Sequence, residues 1–297
     1  VDSVLAQSHE DFELIVVDDG STDGGASLVR AFNDSRIRVL VQKNQGVSCA
    51  RNNGVAHANT EWVAFLDADD YYEPTLLERI LDFIKQHSDS ELSFVGTNYV
   101  SGATKSKKKT DFESGINIYY DYFENQRSPV HASSIAVSKS HYELIGGCKP
   151  HQKQFEDWGL FFKLAAVGDF GYLNEKLSNY QDDFQLGSTI VDIEKFFEDA
   201  KYLPEAMGEM SRIGSLSGEK KIRCYRCLNG YVISVALLLA RLGEKRKSCH
   251  MLLKLKPWMF GFRIEVIKKL LTLVFIIVVP SFLLVALKKV KMLMSEQ

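Results

Sequence analysis

The sequence predicts an α/β fold whose sheet is mostly parallel and flanked by helices. Short β-branched apolar runs alternate with helix-patterned segments, and those runs end in acidic or glycine residues, as buried parallel strands do. With 297 residues, 45% hydrophobic and 25% charged, the chain has the balance of a globular protein with a real core. That length exceeds a usual single domain, so one large domain with a smaller appendage is expected.

The elements follow in order. The chain opens at Val1-Asp2-Ser3-Val4 as if already inside a helix, with no signal peptide and no initiator Met, so sequence upstream of Val1 is expected. Phe12–Asp18 reads as a strand. Ser21-Thr22-Asp23 supplies capping chemistry for a helix over Ala26–Phe32. Arg36–Val41 is a second strand, and Gly46 opens a helix running through Ala56. Trp62–Leu66 is a third strand, Thr75–Gln86 a helix started by Pro74, and Leu92–Gly96 a fourth strand. Ser101–Ser114, with Lys107-Lys108-Lys109, is a polar insertion without periodicity and reads as a solvated loop. Ser133–Ser138 reads as a strand, Ser140–Gly146 as a short helix, and Trp158–Val167 as an amphipathic helix introduced by Glu156-Asp157. Beyond Asp192 the pattern turns helical, with Ile222–Leu242 and Glu244–Leu255 resembling a helical hairpin.

The net charge of -2 hides a split. From Glu219 onward there are 16 Lys/Arg against 4 Asp/Glu, leaving 20 against 34 in the rest. An acidic front is a poor nucleic-acid binder, because phosphate contacts need a basic face. Leu270–Leu287 is uncharged and flanked by Lys268-Lys269 and Lys288-Lys289, at the lower length limit for a spanning helix. Together with the basic hairpin it favours an anionic membrane surface over nucleic acid. The five cysteines, odd in number and irregular in spacing, argue for a reducing compartment. Cys224, Cys227 and Cys249 lie in helical, apolar sequence and read as buried free thiols rather than as a zinc site.

Two strands end in carboxylate groups, Asp18-Asp19 and Asp67-Ala68-Asp69-Asp70. In an open α/β sheet ligands bind beyond the carboxyl ends of the strands. Clustered carboxylates repel unless a cation or a donor intervenes, and Asp-x-Asp offers hard oxygens suited to Mg²⁺ or Mn²⁺ beside a phosphate. Helix caps and solvated loop acids are the bland alternative for either group alone.

Four motifs occur in sequence: the segments starting at Asp2-Ser3-Val4-Leu5, at Phe12-Glu13-Leu14-Ile15-Val16-Val17-Asp18-Asp19, at Asn44-Gln45-Gly46-Val47-Ser48, and at Phe65-Leu66-Asp67-Ala68-Asp69-Asp70. Their order and spacing resemble the family 2 glycosyltransferases with the GT-A fold. The resemblance covers about the first 190 residues. It implies inverting transfer from a nucleoside-diphosphate sugar, a UDP-sugar foremost, to a hydroxyl of a glycan or lipid-linked acceptor. By the same resemblance Asp18 or Asp19 would bind the base, Asp67 would sit near the ribose, and Asp69 would bind the metal (Mn²⁺ or Mg²⁺). Arg51 would line the donor site. Glu156-Asp157 matches the family's Glu-Asp motif, which makes Asp157 the catalytic base.

The expected layout is a GT-A catalytic domain over 1–190 lacking its first strand, a helical extension over 191–260, and a basic-flanked membrane segment over 261–297. A location at the cytoplasmic face of a membrane, such as a bacterial inner membrane, follows from that layout. The pattern departs from the family where Tyr180-Gln181-Asp182-Asp183 lacks a His found in many relatives. A nucleotidyltransferase on a related fold, or an inactive membrane-tethered nucleotide-sugar-binding relative, are the rival readings.

Overall fold

The computed structural model describes residues 1–101, 113–122, 130–181, 192–212, 214–255 and 272–273. Most of the polar insertion, Asp182-Asp183 and nearly all of the apolar run 270–287 lie outside the described residues. The chain divides into two compact units, Val1–Lys220 and Lys221–Gln297.

In the first unit the elements are α1 (Asp2–Leu5), β1 (Leu14–Asp18), α2 (Gly25–Arg30), β2 (Ile37–Val41), α3 (Val47–His57), β3 (Trp62–Ala64), β4 (Tyr71–Tyr72), α4 (Leu76–Gln86) and β5 (Leu92–Ser101). There follow β6 (Gly115–Asn117), α5 (Tyr119–Tyr122), β7 (Ile135–Ser138), α6 (Lys139–Leu144), α7 (Glu156–Val167), β8 (Asp169–Tyr180) and α8 (Ile193–Arg212). The two longest pairings are parallel: β1 with β2, from Leu14/Ile37 to Asp18/Val41, and β5 with β8, from Leu92/Asp169 to Ser101/Tyr180. Shorter antiparallel pairs join β7 to β3 and β5, and β4 and β6 to β8. The result is a mixed α/β architecture with parallel strands at its core.

The sheet comes in two parts, β1-β2 and β3-β7-β5-β8-β4, with β6 also on β8. Among the described residues β1 pairs only with β2 and β3 only with β7, and both strands stay half-buried. The central strands are buried over most of their length. Phe94 of β5 stacks on Phe170 of β8 at 4.6 Å between centroids, with Tyr119 and Phe161 edge-on and stacked around them. Burying each such ring contributes roughly 1.5–3 kcal/mol. On the other face α4 presents Leu76, Ile80 and Phe83 at positions i, i+4 and i+7, which is why it forms a helix and buries one stripe. These residues join Val95, Leu173 and Leu177 in one core cluster, with Leu14, Trp62 and Ala64 packed at its margin.

The second unit holds the rest of helix α9 (Gly218–Arg241) and α10 (Lys245–Leu252), which realise the predicted hairpin. Helix α9 is long and apolar enough to cross a membrane, but its apolar window is mostly buried, as in a soluble core helix. The thiol expectation needs correction. Cys148, Cys224 and Cys227 are buried, Cys49 is partly exposed and Cys249 is exposed, because Cys249 falls on the solvent side of α10.

Candidate active site

The predicted site residues end or follow β1 and β3 or lie on α3 and α7, and among them Arg51, Asp67 and Asp157 contact one another. Asp18 accepts a hydrogen bond from Ser21 N at 2.8 Å, which holds its carboxyl below the usual range. Asp19 is fully engaged. Its Oδ1 accepts from Gln42 Nε2 (2.7 Å) and Gln45 N (2.9 Å), and its Oδ2 accepts from Gly46 N (2.7 Å). Burial pushes the Asp19 carboxyl up, but these three donors outweigh it and the net shift is down. Asp19 therefore ties β1 to the start of α3, where unsatisfied N–H groups need an acceptor.

The acidic run divides three ways. Asp67 N donates to Ser133 Oγ at 3.0 Å, so a buried serine holds the start of the turn. Asp70 is structural in character. Its side chain is 0% exposed, it accepts Gln181 N at 2.9 Å, and burial pushes its carboxyl up. One of its oxygens, Oδ2, has no hydrogen bond and lies 3.8 Å from Nδ1 of His131. Burial takes His131 down to about 4, so its ring is neutral near pH 7. Asp69, by contrast, is exposed, and no hydrogen bond or ion pair engages it among the described residues.

Arg51 joins the pieces. From α3 its Nη2 donates to Asp67 Oδ1 at 2.9 Å and Oδ2 at 3.3 Å, while Nη1 donates to Asp157 Oδ1 at 2.6 Å. The guanidinium side chain is only 8% exposed. Burial alone would favour loss of its proton, but the charges of Asp157 and Asp67 reverse that and hold it firmly cationic. The sequence placed Arg51 along the donor site. The structure shows it as a buried fork between two carboxylates that are 90 positions apart in the chain.

Asp157 lies inside the first turn of α7 rather than at its cap, which is Phe155. With Oδ1 held by Arg51, no hydrogen bond engages Oδ2 among the described residues. The adjacent Glu156 is pushed up to about 7, first by burial and then by the charge of Asp157, so the two neighbouring carboxyls need not both be ionised.

The approach to α7 is heavily braced. Asn52 Nδ2 donates to Cys148 O (2.9 Å), and Asn52 Oδ1 accepts from Cys148 N (2.9 Å) and the Tyr142 hydroxyl (2.7 Å). Gly147, at φ 63°, has no room for a side chain: a Cβ would lie 2.6 Å from Asn52 Oδ1 and 2.7 Å from Tyr142 Cε1. The buried ammonium of Lys163 closes the same turn by donating to the carbonyls of Ile145 (3.1 Å) and Gly147 (2.5 Å). Sequence reasoning missed Ser133, His131 and Lys163, and nothing local marks the first two. Lys163 alone left a trace, as a charge in the apolar stretch of α7.

No group of three or more His, Cys, Asp or Glu side chains is gathered as a metal cage among the described residues. A Mg²⁺ or Mn²⁺ ion that shares substrate phosphates needs only one or two protein carboxylates. The exposed carboxylate of Asp69, two residues from Asp67, meets that requirement.

Residues 1–142 match the family model described as Glycosyl transferase family 2. Glycosyltransferase GlyA of Streptococcus pneumoniae serotype 4 is 28% identical over 189 residues, covering 60% of this chain and 25% of that protein. Chondroitin synthase of Pasteurella multocida is 29% identical over 183 residues, covering 59% of this chain and 18% of that protein. The chain thus spans a quarter or less of the length of these two relatives. The crystal structure of S. aureus TarS 1-349 in complex with UDP-GlcNAc superposes with a TM-score of 0.61 at 16% identity, covering 84% of each chain. That likeness is one of fold, the GT-A type.

Proposed function

A glycosyl transferase family 2 domain occupies residues 1–142, and on that premise we propose that the protein transfers a sugar from a UDP-sugar to a hydroxyl acceptor with inversion. The observation that carries the proposal is the Arg51 fork, which brings Asp157 to the carboxylate end of β3 beside Asp67. Asp157 is the base. Its free Oδ2 takes the proton of the acceptor hydroxyl, the hydroxyl oxygen bonds to the anomeric carbon, and the bond from that carbon to the diphosphate breaks. Arg51 fixes Oδ1 and so leaves one oxygen facing the acceptor. Asp67 and the β1 end, with Asp18, face the nucleoside. Asp69 would hold Mn²⁺ or Mg²⁺, which when bound neutralises charge on the departing diphosphate.

The TarS structure with UDP-GlcNAc supports the uridine donor, and chondroitin synthase supports a glycan product. The basic sequence after Glu219 supports a lipid-linked acceptor at the cytoplasmic face of a membrane.

A thermal-shift titration tests this with UDP, GDP and TDP, each with and without Mn²⁺. Ligand at about a hundred times its Kd stabilises by about 2.7 kcal/mol, a rise of several degrees for a domain of this size. UDP with Mn²⁺ should give that rise. No metal-dependent shift with any of the three would overturn the proposal.

A further inference from the structure

Helix α8 carries a buried carboxylate that the chemistry above does not use. Asp199 is fully covered, with a side-chain exposure of 1%. It sits on the apolar stripe of its helix, three positions after Phe196 and four before Leu203, both also buried. An ionised carboxylate there costs several kcal/mol unless its oxygens are satisfied, and an apolar residue would pack in its place.

One of its oxygens is satisfied by the loop that leads into α7 and the other by a lysine of its own helix. Asp199 Oδ2 accepts the backbone N–H of Lys153 (3.0 Å) and of Gln154 (3.2 Å), and Oδ1 pairs with Lys195 Nζ at 2.8 Å. The next residue, Phe155, caps α7 with φ 61°. A bulky aromatic side chain in the left-handed region is strained by about 1–3 kcal/mol and persists only where its surroundings impose it. Those surroundings are Trp158 and Phe196, whose rings lie 5.7 and 5.5 Å from that of Phe155. Helix α8 grips the loop a second time where Lys149 Nζ sits 4.5 Å over the Tyr202 ring. Two residues beyond Phe155 stands Asp157.

We infer that Asp199 is a positioning residue for Asp157: it anchors the 153–155 loop, holds Phe155 in its left-handed cap, and thereby sets the entry of α7 that aims the base. This rests on the reading of Asp157 as base. A shift of about 1 Å at a reacting group costs on the order of 100-fold in rate, whereas the nucleoside end, built on β1 and β3, does not touch Asp199.

The test uses the full chain with Asp199→Ala and Asp199→Asn, each alone and combined with Asp157→Asn. UDP release from UDP-GlcNAc gives turnover, calorimetry gives UDP affinity, and amide hydrogen exchange reads residues 153–158. Turnover should fall by about 10- to 100-fold in the alanine variant and less in the asparagine variant, which keeps one acceptor oxygen. UDP affinity should stay within about twofold, exchange over 153–158 should accelerate, and neither substitution should lower turnover further when Asp157 is already Asn. Wild-type turnover, a parallel loss of UDP affinity, or multiplicative losses in the double variants would each refute the positioning role. If the alanine variant does not fold, the asparagine variant decides by the same criteria. Wild-type protein that releases no UDP, or Asp157→Asn that retains full turnover, refutes the catalytic reading instead; the exchange measurement then still shows whether Asp199 holds the loop.

Discussion

Replacing Arg51 by Met removes the cation that bridges Asp67 and Asp157. The guanidinium is 8% exposed, while the two carboxylates are 36% and 26% exposed at the side chain. Breaking a fully buried ion pair costs about 3–5 kcal/mol. Both anions here retain some solvent, so screening lowers the expected loss to about 2–3 kcal/mol. Arg51→Lys offers a point charge in place of a planar fork and can serve only one carboxylate well, for a loss of about 1–2 kcal/mol. Urea unfolding of the wild type, Arg51→Met, Asp157→Asn and the double variant measures the coupling directly. The two sites touch at 2.6 Å, so the cycle should return about 1–2 kcal/mol, since the second substitution removes a charge that the first left unpaired. A coupling below about 0.3 kcal/mol, or Arg51→Met within about 0.5 kcal/mol of wild type, would refute the idea that this fork organises the site.

Asp157→Asn keeps the shape of the side chain and removes the proton acceptor. Turnover should drop by about 100-fold or more with UDP affinity nearly intact, and near-normal transfer would remove Asp157 from the base role. Glu156 predicts a pH dependence of stability. Its folded pKa of about 7 lies above the ordinary 4.5, so its favourable contribution is complete below pH 4.5 and is lost as pH rises through 7. Relative to Glu156→Gln, the wild type should lose up to roughly 3 kcal/mol between pH 4.5 and 8, and less when Asp157 is also Asn. A difference between the two proteins that stays flat over that range would show Glu156 to be ordinary.

The parts of the fold legible in the sequence are those whose signal is local. Strands β1, β2 and β3 announce themselves as β-branched runs closed by carboxylates or polar turns, and α4 by its i, i+4, i+7 stripe. Strand β8 escaped reading because Asn174-Glu175-Lys176 interrupts its alternation; it is a strand because β5 lies along one side and β4 and β6 along the other. The two residues of β4 owe their pairing entirely to β8. In the site, each carboxylate was visible, but its environment was not. Asp67, Asp69 and Asp70 stand within four positions, yet one is salt-bridged, one is exposed and one is buried. Those differences come from Arg51, Ser133 and Gln181, brought in by other elements. Asp199 did leave a trace, as a charge on the apolar stripe of α8, but only the structure says what it holds.

The charges at the site bear on how a donor binds. Around the end of β3 stand Asp67, Asp69 and Asp157, with Arg51 as the cation bonded to two of them. His131 adds none near neutral pH, because burial keeps its ring uncharged. Arg51 is already shared between two anions, so it has little capacity left for a third. A diphosphate entering here brings at least two further negative charges, and at about 4 Å each like-charge contact costs about 4 kcal/mol at an effective dielectric near 20. The described residues offer no free cation at that point to offset it, whereas the exposed Asp69 offers an oxygen to one that arrives with the donor. On the proposed reading, electrostatics predicts that metal and nucleotide binding depend on each other: UDP should bind poorly without Mn²⁺, and Mn²⁺ weakly without UDP, each by the same factor.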